Sequence, residues 1–363
     1  KKHPYPPPRR WIVENQSIWD LWSYQINHAP QPDVCISRKS MFLVDLAKLD
    51  FDIGPDESAI FEDEKGELVA MVISDFCKCE KVLHWVNEIV LLNVALEKNV
   101  RKEDAGSIVI CGWSTGLRSR THLNLARNLE SKHKLSPSQK SELQYKSASV
   151  FALFWNLVKS LGPAEVVADL EKLVKDNNLY RMDTAIANGG KQHTYTIDVD
   201  GGVPLTFHNA ELAPPSGVFA RNYARWVPRA QLHCTLLIIC RAVHFERQPH
   251  DWSASWTTFH DDSEGDAGSH FYLASYGIRI QAASNKAVFW KPGDWHGTSL
   301  PKLKPAEKGG PLLQCGLAIV TSARLPAAFE AYHKGDISRA QLIAEAGKSS
   351  EIGLENTFER VSI

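Results

Sequence analysis

His260-Asp261-Asp262 closes the apolar run WTTFH, and its residue types are those of a metal site. A β-strand sends residues i and i+2 to one face, so His260 and Asp262 project side by side while Asp261 turns away. An imidazole and a carboxylate converging on one point are two of the three ligands of a facial site, which grips an ion on one side and leaves the other positions open. A third ligand is available in AVFWKPGDWHGTSLP, where His296 follows a strand and a Pro-Gly-Asp turn, 34 positions beyond Asp262. That interval lets FYLASYGIRIQ and AVFW cross a barrel and return. The bland alternative for His260 is a solvated strand end. His233, His244, His250 and His270 lack a ligand partner at fixed spacing and read as surface or hydrogen-bonded histidines.

The elements that must position these residues change character along the chain. Pro4, Pro6, Pro7 and Pro8 among basic residues predict an extended arm over residues 1–10. SMFLVDL reads as a strand, and SAIFEDEKGELVAMVISDF as a hairpin around Asp63-Glu64-Lys65-Gly66. Apolar spacing from Cys79 to Val100 predicts a long buried helix. Ser136 with Pro137 predicts the start of another, which Gly162-Pro163 ends before EVVADLEKLVKD opens a third. Residues 11–192 are thus expected to form a mostly helical buttress. From His193 short β-like runs alternate with Gly, Pro, Asn and Asp, which predicts a barrel or two-sheet core over 193–326. LPAAFEAYHKGDISRAQLIAEAG predicts two short C-terminal helices within 327–363.

With 44% hydrophobic and 23% charged residues in a chain of 363, disorder is excluded as a whole-chain description. The formal net charge of −1 supplies no global field for polyanions, so such a partner must meet a local patch. RSRTHLNLARNLESKHK, with Arg118, Arg120, Arg127, Lys132 and Lys134, is the best candidate for one. Seven scattered cysteines, several inside apolar runs, read as reduced thiols of an intracellular protein. No stretch has the apolar length of a membrane span, and KKHPYPPPRR lacks a signal core, so a soluble protein of cytosol or nucleus is expected.

The order H-x-D, strands, PGD-W-HG and final strand LLQCGLAIVTS resembles the Fe(II)- and 2-oxoglutarate-dependent dioxygenases. Within them, YGIRI, NKAVFWKPGDWHGTSLP and QCGLAIVTSARLP resemble the fungal branch of the TET/JBP group, which oxidises methyl groups on DNA bases. The resemblance covers residues 193–326. It implies an α+β fold with a double-stranded β-helix (jelly-roll, cupin-like) core buttressed by N-terminal and C-terminal helices. It also implies Fe(II) on His260, Asp262 and His296, with 2-oxoglutarate and O₂ as cosubstrates and a nuclear location. An arginine is the expected anchor for the far carboxylate of 2-oxoglutarate. Arg279 in YGIRI is the first candidate; Arg324, beyond the last strand, is the second. The group's own arginine near the start of that strand is replaced here by Leu313, Gln314 and Cys315.

The implied partner is duplex DNA carrying 5-methylcytosine or N6-methyladenine, with the target base extruded into a pocket. Arg118 and Arg120 would then meet phosphates. Arg221, Asn222, Tyr223 and Arg225 in GVFARNYARW would contact the base at the barrel mouth. Two rivals stand beside this reading: a hydroxylase of a protein or small molecule on the same metal, and a cupin-like binding module without catalysis. The oligomeric state is not legible.

Overall fold

The computed structural model describes residues 3–27, 39–96, 106–117, 120–126, 135–187, 193–199, 202–208, 211, 215–223, 240–261, 263, 267–303 and 312–336. In chain order the elements begin with β1 (Trp11–Val13), α1 (Gln16–Asn27), β2 (Met41–Leu43), β3 (Phe51–Ile53), β4 (Ala59–Glu62), β5 (Leu68–Ile73) and α2 (Glu80–Leu96). There follow β6 (Ser107–Leu117), β7 (Arg120–Leu125), α3 (Pro137–Leu161), α4 (Ala164–Asp176), α5 (Thr184–Ala187), β8 (Tyr195–Ile197) and β9 (Leu205–Phe207). The C-terminal half supplies β10 (Ser216–Tyr223), β11 (Ser253–His260), β12 (Phe271–Leu273), β13 (Ile278–Ile280), β14 (Lys286–Trp290), β15 (His296–Thr298), β16 (Leu312–Ile319) and α6 (Leu325–His333).

Two sheets dominate this mixed α and β architecture. The larger has eight strands in the order β4-β5-β14-β11-β16-β10-β6-β7, and the smaller has four in the order β15-β12-β13-β3. Strand alternation gives the larger sheet two chemically different faces. Ala254 and Trp256 of β11, Phe289 of β14, and Cys315, Leu317 and Ile319 of β16 are buried against Phe76, α2 and α3 in the main core. Edge-to-face contacts tie Phe76 to Trp256 at 5.7 Å and to Phe154 at 6.2 Å between ring centroids. The opposite face carries Val288 and Trp290, which pack with Leu273, Ile278 and Ile280 of the smaller sheet.

Local sequence chemistry explains the helices behind the main core. Ser136 caps α3 through a reciprocal box with Gln139, Pro137 occupies the first turn, and the Gly162 amide closes the last turn on Val158 O at 2.8 Å. α3 can lie close to the sheet because β10 begins Ser216-Gly217. A Cβ on Gly217 would stand 2.4 Å from the Phe151 ring.

Two expectations need correction. The basic stretch from Arg118 is not simply a charged surface: Arg120–Leu125 is strand β7, with Leu123 and Leu125 buried against Phe329. The proline-rich arm is docked as far as it is described, from His3. The Tyr5 amide donates to Ala274 O at 2.8 Å and the Arg9 amide to Val243 O at 2.7 Å. Of the two expected C-terminal helices α6 is present, and the second lies outside the described residues.

Candidate metal centre

His296 begins β15 directly after the turn Lys291–Asp294, which the Asp294 amide closes on Lys291 O at 3.0 Å. On one side β15 pairs with β12, placing Leu273 opposite His296. On the other side an antiparallel bridge joins His296 to His244, each amide donating to the other's carbonyl at 2.8 Å. Directly opposed residues of an antiparallel pair carry their side chains on one face. The two rings accordingly lie 4.3 Å apart between centroids.

The same alternation acts along His244-Phe245-Glu246. His244 and Glu246 point together, while Phe245 turns outward, 44% exposed, its ring edge-on to Trp295 at 5.0 Å. One ligand atom from each of His244, Glu246 and His296 lies within 4.8 Å of the other two. The His244 Nε2 to Glu246 carboxylate distance is 3.8 Å. Two donors on one ion with bonds of about 2.1 Å can be at most about 4.2 Å apart, so this pair already meets the spacing of a shared centre.

Outer contacts aim the three donors. Nδ1–H of His244 donates to Ala242 O at 2.8 Å, and Nδ1–H of His296 to Asp294 O at 2.8 Å. Each bond fixes its ring and leaves Nε2 as the nitrogen with a free lone pair. His244 Nε2 is buried and has no hydrogen-bond partner among the described residues. Glu246 accepts from Arg241 on one oxygen and from Gln248 Nε2 on the other at 3.2 Å, and Gln248 Oε1 accepts the Thr321 amide at 3.2 Å.

The electrostatics favour the charge states that a cation needs. Burial, reinforced by the neighbouring His244, pushes the His296 imidazole down to about 3, and burial lowers His244 as well. Burial acts upward on the Glu246 carboxyl, yet the nearby His244 and the Arg241 guanidinium hold it well below the usual carboxylate range. Two neutral imidazoles and one carboxylate at neutral pH fit a divalent ion that is borderline between hard and soft.

His260 is not part of this cluster. It closes β11 opposite Gln314, its amide donating to the Ser284 hydroxyl at 2.8 Å and its carbonyl accepting from it at 3.0 Å. β11 runs antiparallel to β14, with Ser253 opposite Trp290, and the Trp290 ring is 5.8 Å from that of His296. The chain leaving β14 toward His296 therefore emerges beside the start of β11. His260 is at the other end, about 23 Å of strand rise away. Asp262 lies outside the described residues. Among the described residues, His296 is joined by His244 and Glu246 in place of the expected pair.

Arg279 is also committed elsewhere. Its Nε and Nη2 donate to Asp52 at 2.8 and 2.7 Å and its Nη1 to Glu14 at 2.9 Å, while Glu14 also accepts from the Tyr272 hydroxyl at 2.6 Å. This network joins β3, β12 and β13 to the residue that follows β1, and it occupies the fork that was expected to anchor a cosubstrate. Arg324 is the N-cap of α6, three residues past Thr321. Arg221, Asn222 and Tyr223 pair with Cys315, Gln314 and Leu312, which puts them at the His260 end of the sheet rather than beside His296. Arg225 and Arg118 lie outside the described residues, and Arg120 is on the edge strand β7.

His244 and Glu246 are the residues that the sequence reading passed over. The signal was present: His-Phe-Glu has the same alternation as His-Asp-Asp, 52 positions before His296.

No family model matches the chain, and no curated protein does. Among solved structures, one described as NgTET1 in complex with 5mC DNA is 10% identical, with a TM-score of 0.40 over 86% of this chain and 90% of that one. Another is a prolyl hydroxylase from Trichoplax adhaerens in complex with a hypoxia inducible factor oxygen degradation domain peptide fragment. It is 8% identical, with a TM-score of 0.31 over 71% of this chain and 86% of that one.

Proposed function

We propose that the protein is an Fe(II)- and 2-oxoglutarate-dependent dioxygenase whose metal ligands are His244, Glu246 and His296. The observation that carries this reading is the convergence of these three side chains, with both imidazoles pinned through Nδ1 and His244 Nε2 buried without a hydrogen-bond partner among the described residues. A facial set of two histidines and one carboxylate leaves coordination positions open, and an iron held there supplies oxidation of a C–H bond at the expense of a 2-oxo acid and O₂.

The reading includes a double-stranded β-helix, supported by how the strands interleave. Counting β10, the His244 bridge segment and β11 to β16 as one to eight, the larger sheet contains the run one-eight-three-six. The smaller contains two-seven-four-five once the His244–His296 bridge is included. Strands alternate between two facing sheets, as in a jelly roll built of two Greek keys. This interleaving makes segments two and seven neighbours, which is what brings His244 to His296.

In this centre the chain's own groups do three things. The Ala242 and Asp294 carbonyls hold both rings with Nε2 inward. Arg241 and Gln248 restrain the Glu246 side chain, and Phe245 with Trp295 presents aromatic surface beside the ligands.

For the substrate we propose a methylated DNA base, on the resemblance of YGIRI, NKAVFWKPGDWHGTSLP and QCGLAIVTSARLP to the TET/JBP group. The test incubates the protein with Fe(II), 2-oxoglutarate, ascorbate and duplexes carrying 5-methylcytosine or N6-methyladenine, followed by mass spectrometry of nucleosides. Loss of a methylated base with matching succinate is expected. Succinate without a changed base would assign the chemistry to a protein or small-molecule substrate, and no turnover with any metal would favour a binding module.

A further inference from the structure

Two buried polar groups near the metal centre lack the partners that buried groups normally have. Ser253 is wholly buried and Trp290 is 6% exposed, and neither the Ser253 hydroxyl nor the Trp290 Nε1–H has a hydrogen-bond partner among the described residues. Leaving such groups unpaired costs about 1–3 kcal/mol each, so two of them together call for an explanation. They are not scattered. Ser253 and Trp290 are opposed residues of β11 and β14, which puts their side chains on one face of the sheet. The Trp290 ring lies 5.8 Å from His296 and 5.1 Å from Phe271.

That face also carries the less tightly buried side chains of the sheet. Trp290 and Val288 fill the space between the sheets on the β14 side. On the neighbouring strands the same face presents Ser255 and Thr257 of β11, Gln314 and Ala318 of β16, and Val218 and Ala220 of β10. All six are half-buried, whereas Trp256, Leu317 and Phe219 on the opposite face are fully buried in the main core. Small and polar side chains thus continue this face of the sheet away from Trp290 and the metal ligands.

We propose that Ser253 and Trp290 are the paired donors for a carboxylate of the acid bound at His244, Glu246 and His296. This inference rests on the oxygenase reading above and adds residues that the sequence did not single out. A hydroxyl and an indole N–H carried by opposed residues on one face match in number the two acceptor oxygens of a carboxylate, and a cation at the ligands would balance its charge. The assignment also explains how an acid is held while Arg279 is fully engaged with Asp52 and Glu14.

The experiment titrates the whole protein anaerobically with Mn(II), and then the Mn(II) form with 2-oxoglutarate, by calorimetry. Wild type, Ser253→Ala and Trp290→Phe are compared. Both variants should bind Mn(II) like wild type and bind 2-oxoglutarate about tenfold more weakly or worse, since a hydrogen bond to a charged group is lost in each. Without ligand, Ser253→Ala should melt no lower than wild type, because it deletes a buried hydroxyl that bonds to nothing. Variants that take 2-oxoglutarate as well as wild type overturn the paired-donor assignment and leave the oxygenase reading intact. A wild-type protein that binds no Mn(II), or binds it without 2-oxoglutarate, overturns both.

Discussion

His244 and His296 face each other across an antiparallel bridge, their amides and carbonyls exchanging bonds of 2.8 Å and their rings 4.3 Å apart. The bridge joins segments more than fifty residues apart, and it sets the separation of two candidate metal ligands through backbone hydrogen bonds. Anything that spreads these segments should weaken the metal centre before it touches a ligand.

Gly297 gives the means to spread them. A Cβ there would stand 3.0 Å from Arg241 O and 3.1 Å from the Val243 backbone, so neither neighbour is a side chain that can swing away. Gly297→Ala is expected to cost about 1–3 kcal/mol of stability and to weaken Mn(II) binding. Gly293→Ala, where a Cβ meets nothing within 4 Å, serves as the control and should stay within about 0.5 kcal/mol of wild type. Urea unfolding and metal titration of both variants check this, and equal effects would contradict it.

Arg279 separates a structural ion pair from a cosubstrate anchor. Replacing it with methionine removes the guanidinium from Glu14, whose side chain is 1% exposed and keeps the Tyr272 hydroxyl and His270 beside it, and should cost about 3 kcal/mol in urea unfolding. The affinity of the folded protein for 2-oxoglutarate should be unchanged. A variant of normal stability that has lost 2-oxoglutarate binding would restore Arg279 as the anchor.

Lys286 gives a stability signal on the alkaline side. Its ammonium is buried against Gly54 O at 2.6 Å and Gln281 O at 3.2 Å, and burial pushes its pKa down to about 8 from 10.5. Between those two values the unfolded chain keeps a proton that the native state has released. Stability therefore rises with pH through this window, by an amount on the order of 3 kcal/mol when the shift is converted. Unfolding free energies of wild type and Lys286→Met should converge from pH 7.5 to 10.5, and parallel curves would refute the buried, poorly solvated ammonium.

Much of the architecture was legible because its signals are local. Ser136, Pro137 and Gly162 mark the ends of α3 by their own backbone chemistry, and Asp63 to Gly66 make their hairpin within a few residues. The candidate site was half legible. His296 was found because its Pro-Gly-Asp turn and flanking strands are local, and the rule that i and i+2 share a face was sound. It was applied to His260, whereas the same rule holds for His244 and Glu246. What decides between them is the direction in which β11 runs relative to β14, a non-local property that periodicity does not carry. The ion pairs of Arg279 were illegible for a related reason: its partners Glu14 and Asp52 lie more than two hundred residues away in sequence.

The identity of the metal ligands is tested most directly by Mn(II) titration of four single variants, His244→Ala, Glu246→Ala, His296→Ala and His260→Ala, each verified as folded by circular dichroism. Loss of an outer contact to a metal ligand costs about 10–100-fold in affinity, so loss of a ligand itself should exceed that range in the first three. His260→Ala should bind Mn(II) as wild type does. Retained binding in His244→Ala or Glu246→Ala, together with lost binding in His260→Ala, would contradict the centre described.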